Sequence, residues 1–173
     1  NIMLGHLLGS TKTCEASGRA WVCFENHVFD RPDSYESFHW KIKKVAIIGY
    51  TGLIGKIILT SLKKKKFNII KNNSKNIKNI KNKNFLEIYC AGLPAEKWKA
   101  NKSPSKDFKN TSKLISCLKK TYCEKFYLIS TIDIHKHKEE YGKNRLLLEK
   151  FIKKNFLKYL IFRLPAVFGK GLK

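Results

Sequence analysis

The feature that most constrains this chain is the run "KKVAIIGYTGLIGKIILTSLKK", residues 43–64. Val45 to Ile48 is continuously apolar, as a strand buried on both faces of a parallel sheet must be. Gly49, Gly52 and Gly55 follow at three-residue spacing, and Ile54, Ile57, Ile58 and Leu62 then recur at helical spacing. Strand, glycine turn, helix is the order that a phosphate-binding turn requires. Glycines let the backbone come close to a pyrophosphate. The helix start adds unpaired N–H groups and the positive end of its dipole. Thr51, Leu53 and Ile54 lie among these glycines and belong to the same candidate site. A tight strand–helix turn with no ligand would use the same letters, so the rest of the chain has to decide.

With 173 residues the chain can build a domain with a real core. No run of 18 apolar residues occurs, so no membrane span is expected. The opening "NIMLGHLLGS" lacks the basic start and long apolar stretch of a signal peptide. Five cysteines, Cys14, Cys23, Cys90, Cys117 and Cys123, are an odd number without a C-x-x-C pair. Nothing around them has zinc-ligand spacing, and His6, His27 and His39 have none either, so no metal is expected. A reduced, cytoplasmic chain is the simplest expectation.

The net charge of +23 invites a nucleic-acid reading. Lysine supplies nearly all of it, alongside abundant asparagine and isoleucine, as in "KNNSKNIKNIKNKN". That joint excess reads as a compositional bias, and the basic–aromatic interleaving of single-strand binders is missing. A basic nucleic-acid-binding module therefore ranks third among the readings. The composition changes near residue 40: residues 1–40 hold Lys12, Arg19 and Arg31 against five acids. This stretch, with an apolar "AWVCF" and turn-forming "DRPDS" at 30–34, assembles no site and is expected to be an N-terminal extension. Residues 41–173 form the expected main domain.

Along that domain, "FNIIK" at 67–71 reads as a second strand. A dinucleotide fold places an acid near the end of this strand, about 20 residues past the glycines, to hold the adenosine ribose. Here Lys71 and Asn72 stand instead, which favours NADP over NAD. The passage that follows is short, so a truncated third unit is expected. "FLEIYCAG" at 85–92 is another buried strand, ending in the small residues Ala91 and Gly92. "LPAEKWKANKSP" reads as a loop, and Asp107 and Asn110 open a helix carrying Leu114, Ile115 and Leu118 on one face. "FYLISTIDIH" is a strand ending near Ser130 and Thr131, and a helix begins near Tyr141. A final strand is expected within "YLIFRLPAVFGKG" at 159–171.

This ordered set over residues 43–171 resembles the extended short-chain dehydrogenase/reductase superfamily, whose members include NAD-dependent epimerases and dehydratases. The resemblance implies an α/β doubly wound, mostly parallel, Rossmann-like sheet and an NADP or NAD cofactor. It also implies a nucleotide-sugar substrate and reversible hydride transfer. The Ala91–Gly92 turn and Pro165 would pass close to the cofactor. Thr131, or Ser130 as second choice, would hold the reacting oxygen, and Tyr141 would move its proton. The family's cation lies four residues after the tyrosine, on the same helix face; here that position is Arg145 rather than lysine. Asn110 resembles the family's proton-relay asparagine, with a solvated helix residue as the equal alternative. The dehydratases' Asp-Glu pair is represented only by Asp133, behind Ile132, which argues against dehydration. A homodimer is a further expectation. Because the chain stops at Lys173, the reading is of a cofactor domain without the C-terminal part that closes over the sugar. The runner-up is a dinucleotide-binding regulator that has lost the chemistry along with the lysine.

Overall fold

The computed structural model describes residues 44–135 and 139–165, together with the backbone of three strands at 13–16, 19–24 and 27–29. The chain divides into two units, Asn1–Lys41 and Ile42–Lys173. In the first, β1 (Thr13–Ala16), β2 (Arg19–Phe24) and β3 (His27–Phe29) form an antiparallel meander, with Thr13 opposite Val22 and Val22 opposite Phe29. The "DRPDS" turn lies outside the described residues.

The second unit is a five-stranded, fully parallel sheet. Its strands are β4 (Lys44–Ile48), β5 (Asn68–Asn72), β6 (Lys83–Cys90), β7 (Thr121–Thr131) and β8 (Tyr159–Leu164), in the order β5-β4-β6-β7-β8. Between them run α1 (Leu53–Lys63), α2 (Lys97–Lys102), α3 (Pro104–Leu118) and α4 (Glu140–Asn155). Only a single 3-10 turn, Ile77–Ile80, separates β5 from β6, so the third unit is indeed short. Parallel pairing needs a crossover between neighbours, and the order reverses between β4 and β6. This switch point leaves a crevice at the carboxyl ends of the two strands, where ligands of open α/β sheets bind.

Alternation along the strands sorts their side chains to two faces. Ala46, Ile48, Ile88, Cys90, Phe126 and Leu128 point to one face and meet Leu114, Cys117 and Leu118 of α3 and Leu148 and Ile152 of α4. The opposite face carries α1; there Ile54 and Ile58 line an apolar cleft of about 390 Å³ with Tyr89, Tyr127, Ile129, Phe162 and Leu164. Tyr89 and Tyr127 stack at 4.5 Å, and both hydroxyls donate to Glu87. Cys90, Cys117 and Cys123 are free thiols; burial pushes Cys90 up to about 11 and Cys123 up to about 12, so both stay protonated at neutral pH.

One expectation needs correction here. The stretch expected as a loop after Gly92 contains the helix α2, and Pro104 starts α3 directly behind it. Proline at the first helical position has no N–H to leave unsatisfied, which is why α3 can begin there. The expected last strand ends at Leu164; residues 166–171 lie outside the described residues.

Candidate functional site

The glycine turn closes the end of β4 at the switch point. Gly49 has φ +83°, a conformation that favours glycine, and a Cβ there would lie 2.2 Å from the Ala91 carbonyl oxygen. Its N–H donates to the Asn72 carbonyl at 2.8 Å, and the Ala91 N–H donates to the Ile48 carbonyl at 2.9 Å, tying the three strand ends together. A Cβ on Gly55 would lie 2.0 Å from the Gly49 carbonyl oxygen, so this glycine lets α1 press against the turn. Gly52 differs. A Cβ there would meet only the Gly49 oxygen, at 3.5 Å, and the residue is exposed. Gly52 is also the N-cap of α1 and supplies no side-chain cap. The helix start thus has no side-chain cap and has open space beside Gly52, where a pyrophosphate could approach the first N–H groups. Thr51 is exposed beside it, and Leu53 and Ile54 are half-buried.

The neighbouring candidates divide. Lys71 is exposed at the end of β5, free to meet a phosphate. Asn72 turns inward instead: its side chain is fully buried, Nδ2 donates to the Ile70 carbonyl at 3.2 Å, and Oδ1 accepts no hydrogen bond. What Asn72 gives the turn is its backbone carbonyl. Gly92 is small because a Cβ would lie 2.6 Å from Cγ2 of Ile48. Pro165 is exposed just beyond β8.

At the end of β7, Thr131 and Asp133 are coupled. The Asp133 N–H donates to Thr131 Oγ1 at 3.2 Å, and Thr131 Oγ1 reaches Asp133 Oδ2 at 3.4 Å, a long and weak bond. Lys97 of α2 pairs with both Asp133 (3.4 Å) and Glu139 (2.7 Å). The hydrogen bond that Lys97 donates to Glu139, with Asp133 in support, outweighs desolvation and holds the Lys97 ammonium above the usual lysine range. Asn101, also on α2, accepts from the Tyr141 N–H at 3.1 Å. So α2, the turn at Ile132–His135 and the start of α4 form one polar cluster. Ser130 points the other way. Its hydroxyl is buried near Glu149 of α4 but makes no hydrogen bond of normal geometry.

Tyr141 and Arg145 do come together. Tyr141 is buried, and the Arg145 guanidinium lies over its ring, 4.3 Å from the centroid. The guanidinium is otherwise occupied. Nη1 donates to Asp107 Oδ2 at 2.9 Å, and Nη2 to Asp107 Oδ1 at 3.2 Å and to the Pro94 carbonyl at 2.7 Å. Asn144 Nδ2 also donates to Asp107, at 2.8 Å. Both charged side chains are only 5% exposed. The cation expected beside the tyrosine is thus half of a buried, charge-neutral pair. Asn110 is exposed on α3; the polar residue that α3 sends into the site is Asp107. Lys97, Asn101 and Glu139 escape the sequence reading, in which Asp107 only opens the helix α3. Only Asp107 left a signal: with Thr111, Leu114 and Leu118 it lies on one helical stripe, an acid in line with the core.

No family model matches the chain, and no curated protein matches it. Solved structures do. A dTDP-4-dehydrorhamnose reductase from Clostridium acetobutylicum is 21% identical, with a TM-score of 0.61 over 75% of this chain and 55% of that one. A dTDP-4-dehydrorhamnose reductase from Bacillus anthracis, in complex with NADP, is 17% identical, with a TM-score of 0.59 over 76% of this chain and 56% of that one. The UDP-glucose 4-epimerase of Thermotoga maritima, with UDP-glucose, is 14% identical, with a TM-score of 0.54 over 69% of this chain and 54% of that one. The likeness establishes the Rossmann-like fold. The chain spans just over half the length of these neighbours.

Proposed function

We propose that this chain is the dinucleotide-binding portion of an NAD(P)-dependent epimerase or reductase of nucleotide sugars, in the extended short-chain dehydrogenase/reductase superfamily. The observation that carries the reading is the glycine turn. Two of its three glycines are filled by the fold itself, and Gly52, at an uncapped helix start on the switch point, is the one left open. Three neighbours of the same fold are a dTDP-4-dehydrorhamnose reductase, another in complex with NADP, and a UDP-glucose 4-epimerase with UDP-glucose. Gly52 and the N–H groups of Leu53 and Ile54 would hold the pyrophosphate, and Lys71 would favour a 2′-phosphate. A bound nicotinamide supplies hydride acceptance and donation. Thr131 would orient the reacting oxygen and Tyr141 would carry its proton, with Asp133 as the acid or base within reach of Thr131.

Titration of the chain with NADPH and NADH tests this. Binding of NADPH, tighter than NADH, is expected, and Gly52→Val should abolish it with the unfolding temperature nearly unchanged. A valine variant that binds like the wild type would remove the turn from the site. The second reading is a dinucleotide-binding regulator without turnover. It is favoured by one observation: the guanidinium at the family's lysine position is already consumed by Asp107 and Pro94. Both readings require binding, and only the first requires hydride transfer. Among the described residues no helix is long and apolar enough to cross a membrane.

A further inference from the structure

Arg145 and Asp107 face each other across α4 and α3 with two hydrogen bonds of 2.9 and 3.2 Å, and neither side chain reaches water to any extent. A bidentate guanidinium–carboxylate pair fixes orientation as well as separation. Each end of the pair holds something else. On one side the guanidinium lies against the Tyr141 ring at 4.3 Å and binds the Pro94 carbonyl, in the segment that follows the Ala91–Gly92 turn. On the other, Asp107 takes a further hydrogen bond from Asn144, one residue before Arg145. Three segments, the loop at Pro94, α3 and the first turns of α4, are thus held by one buried guanidinium–carboxylate pair.

We infer that Asp107 is a positioning residue of the site: acting through Arg145, it sets where the Tyr141 ring sits relative to the strand ends. The inference rests on the proposed reading for its link to chemistry, but its geometric content does not. A lysine at position 145 could reach one carboxylate oxygen or the Pro94 carbonyl, and could not keep the planar fork that covers the tyrosine ring. The arginine and the acid therefore belong together, and Asp107→Asn, nearly isosteric, is the mild way to uncouple them.

Two measurements on the full chain test it. Nitration of tyrosines by tetranitromethane, read by peptide mass spectrometry, needs no turnover. Tyr141 is buried while Tyr122 is 54% exposed and serves as the internal reference. Asp107→Asn is expected to raise the nitration rate of Tyr141 severalfold and leave Tyr122 unchanged; Arg145→Lys should do the same. A Tyr141 rate equal to the wild type in both variants overturns the proposal. Where turnover is measurable, Asp107→Asn should lower kcat by up to ~10²-fold, the scale of a small misplacement, with the cofactor KM little changed. The double variant Asp107→Asn/Tyr141→Phe should be no slower than Tyr141→Phe alone, because the first change acts through the second. Independent, multiplying losses overturn it. Altered nitration in a chain that binds neither NADPH nor NADH sinks the proposed reading and leaves the positioning intact.

Discussion

A methyl group on Gly49 would sit 2.2 Å from the Ala91 carbonyl oxygen, on a backbone already at φ +83°. Neither the strand end nor the next turn can move away without breaking the bonds from Gly49 N–H to Asn72 and from Ala91 N–H to Ile48. Gly49→Ala should therefore cost about 2 kcal/mol or more of folding stability, from backbone strain alone. Gly52 has an ordinary φ of −76° and open space, so Gly52→Ala should cost well under 1 kcal/mol as a change of N-cap. Urea unfolding of the two variants measures the difference, and equal losses would contradict the division of labour in the turn. The spacing of the glycines was legible in the sequence. Which of them the fold fills and which it leaves open was not, because the atoms that crowd Gly49 belong to Ala91, which lies 42 residues further along.

Among the elements, α4 and β8 are joined by a second charge pair. Glu149, fully buried, accepts from Arg163 Nε at 3.1 Å and Nη2 at 2.8 Å. Burial pushes the Glu149 carboxyl up, but the Arg163 hydrogen bonds and charge, helped by the Lys153 charge, more than offset it and hold it below the usual range. A carboxyl lowered on folding contributes stability above its unfolded value, and that stability is lost as pH falls through the folded one. Glu149→Gln should thus be less stable than wild type near neutrality. The gap should narrow in acid, as the wild type protonates Glu149. Thermal unfolding midpoints from neutral pH down through the carboxylate range check this, and a gap that widens in acid would be the wrong sign. Most elements could be read from sequence because the strands of the sheet carry apolar runs and α1 and α3 have apolar stripes. The helix α2 could not: Trp98 and Ala100 are its only apolar residues, Trp98 is 65% exposed, and no period shows. The same gap hid Lys97 and Asn101, whose partners Asp133, Glu139 and Tyr141 are brought to them only by the crossover from β6 to β7. Asn110 and Asp107 illustrate the other limit. Both polar residues open the same helix, and the stripe of Thr111, Leu114 and Leu118 puts Asp107 on the core side, but its partner Arg145 comes from α4 and is set only by tertiary packing.

For the molecule as a whole, charge is the property that sequence states most plainly and structure explains least. The excess is concentrated after residue 40, where lysines on the strands and helices of the sheet domain are mostly exposed, while the core of that domain is built from Ala46 through Phe156 without them. Few acids are available to compensate, and several are committed to specific partners: Asp107 to Arg145, Glu149 to Arg163, and Asp133 and Glu139 to Lys97. A compact state with a net charge of +23 repels itself, and added salt screens that repulsion over a Debye length of about 10 Å at 0.1 M. Raising sodium chloride from about 0.01 M to about 0.15 M, where screening shortens from about 30 Å to about 8 Å, should therefore raise the unfolding temperature. The same salt should weaken NADPH binding, because the lysine field that attracts phosphates is screened along with the self-repulsion. Opposite signs for stability and affinity are the expected result. A chain whose unfolding temperature falls with salt would owe its stability to surface ion pairs such as Lys99–Glu96 and Lys143–Glu140 rather than suffer from its excess of lysine.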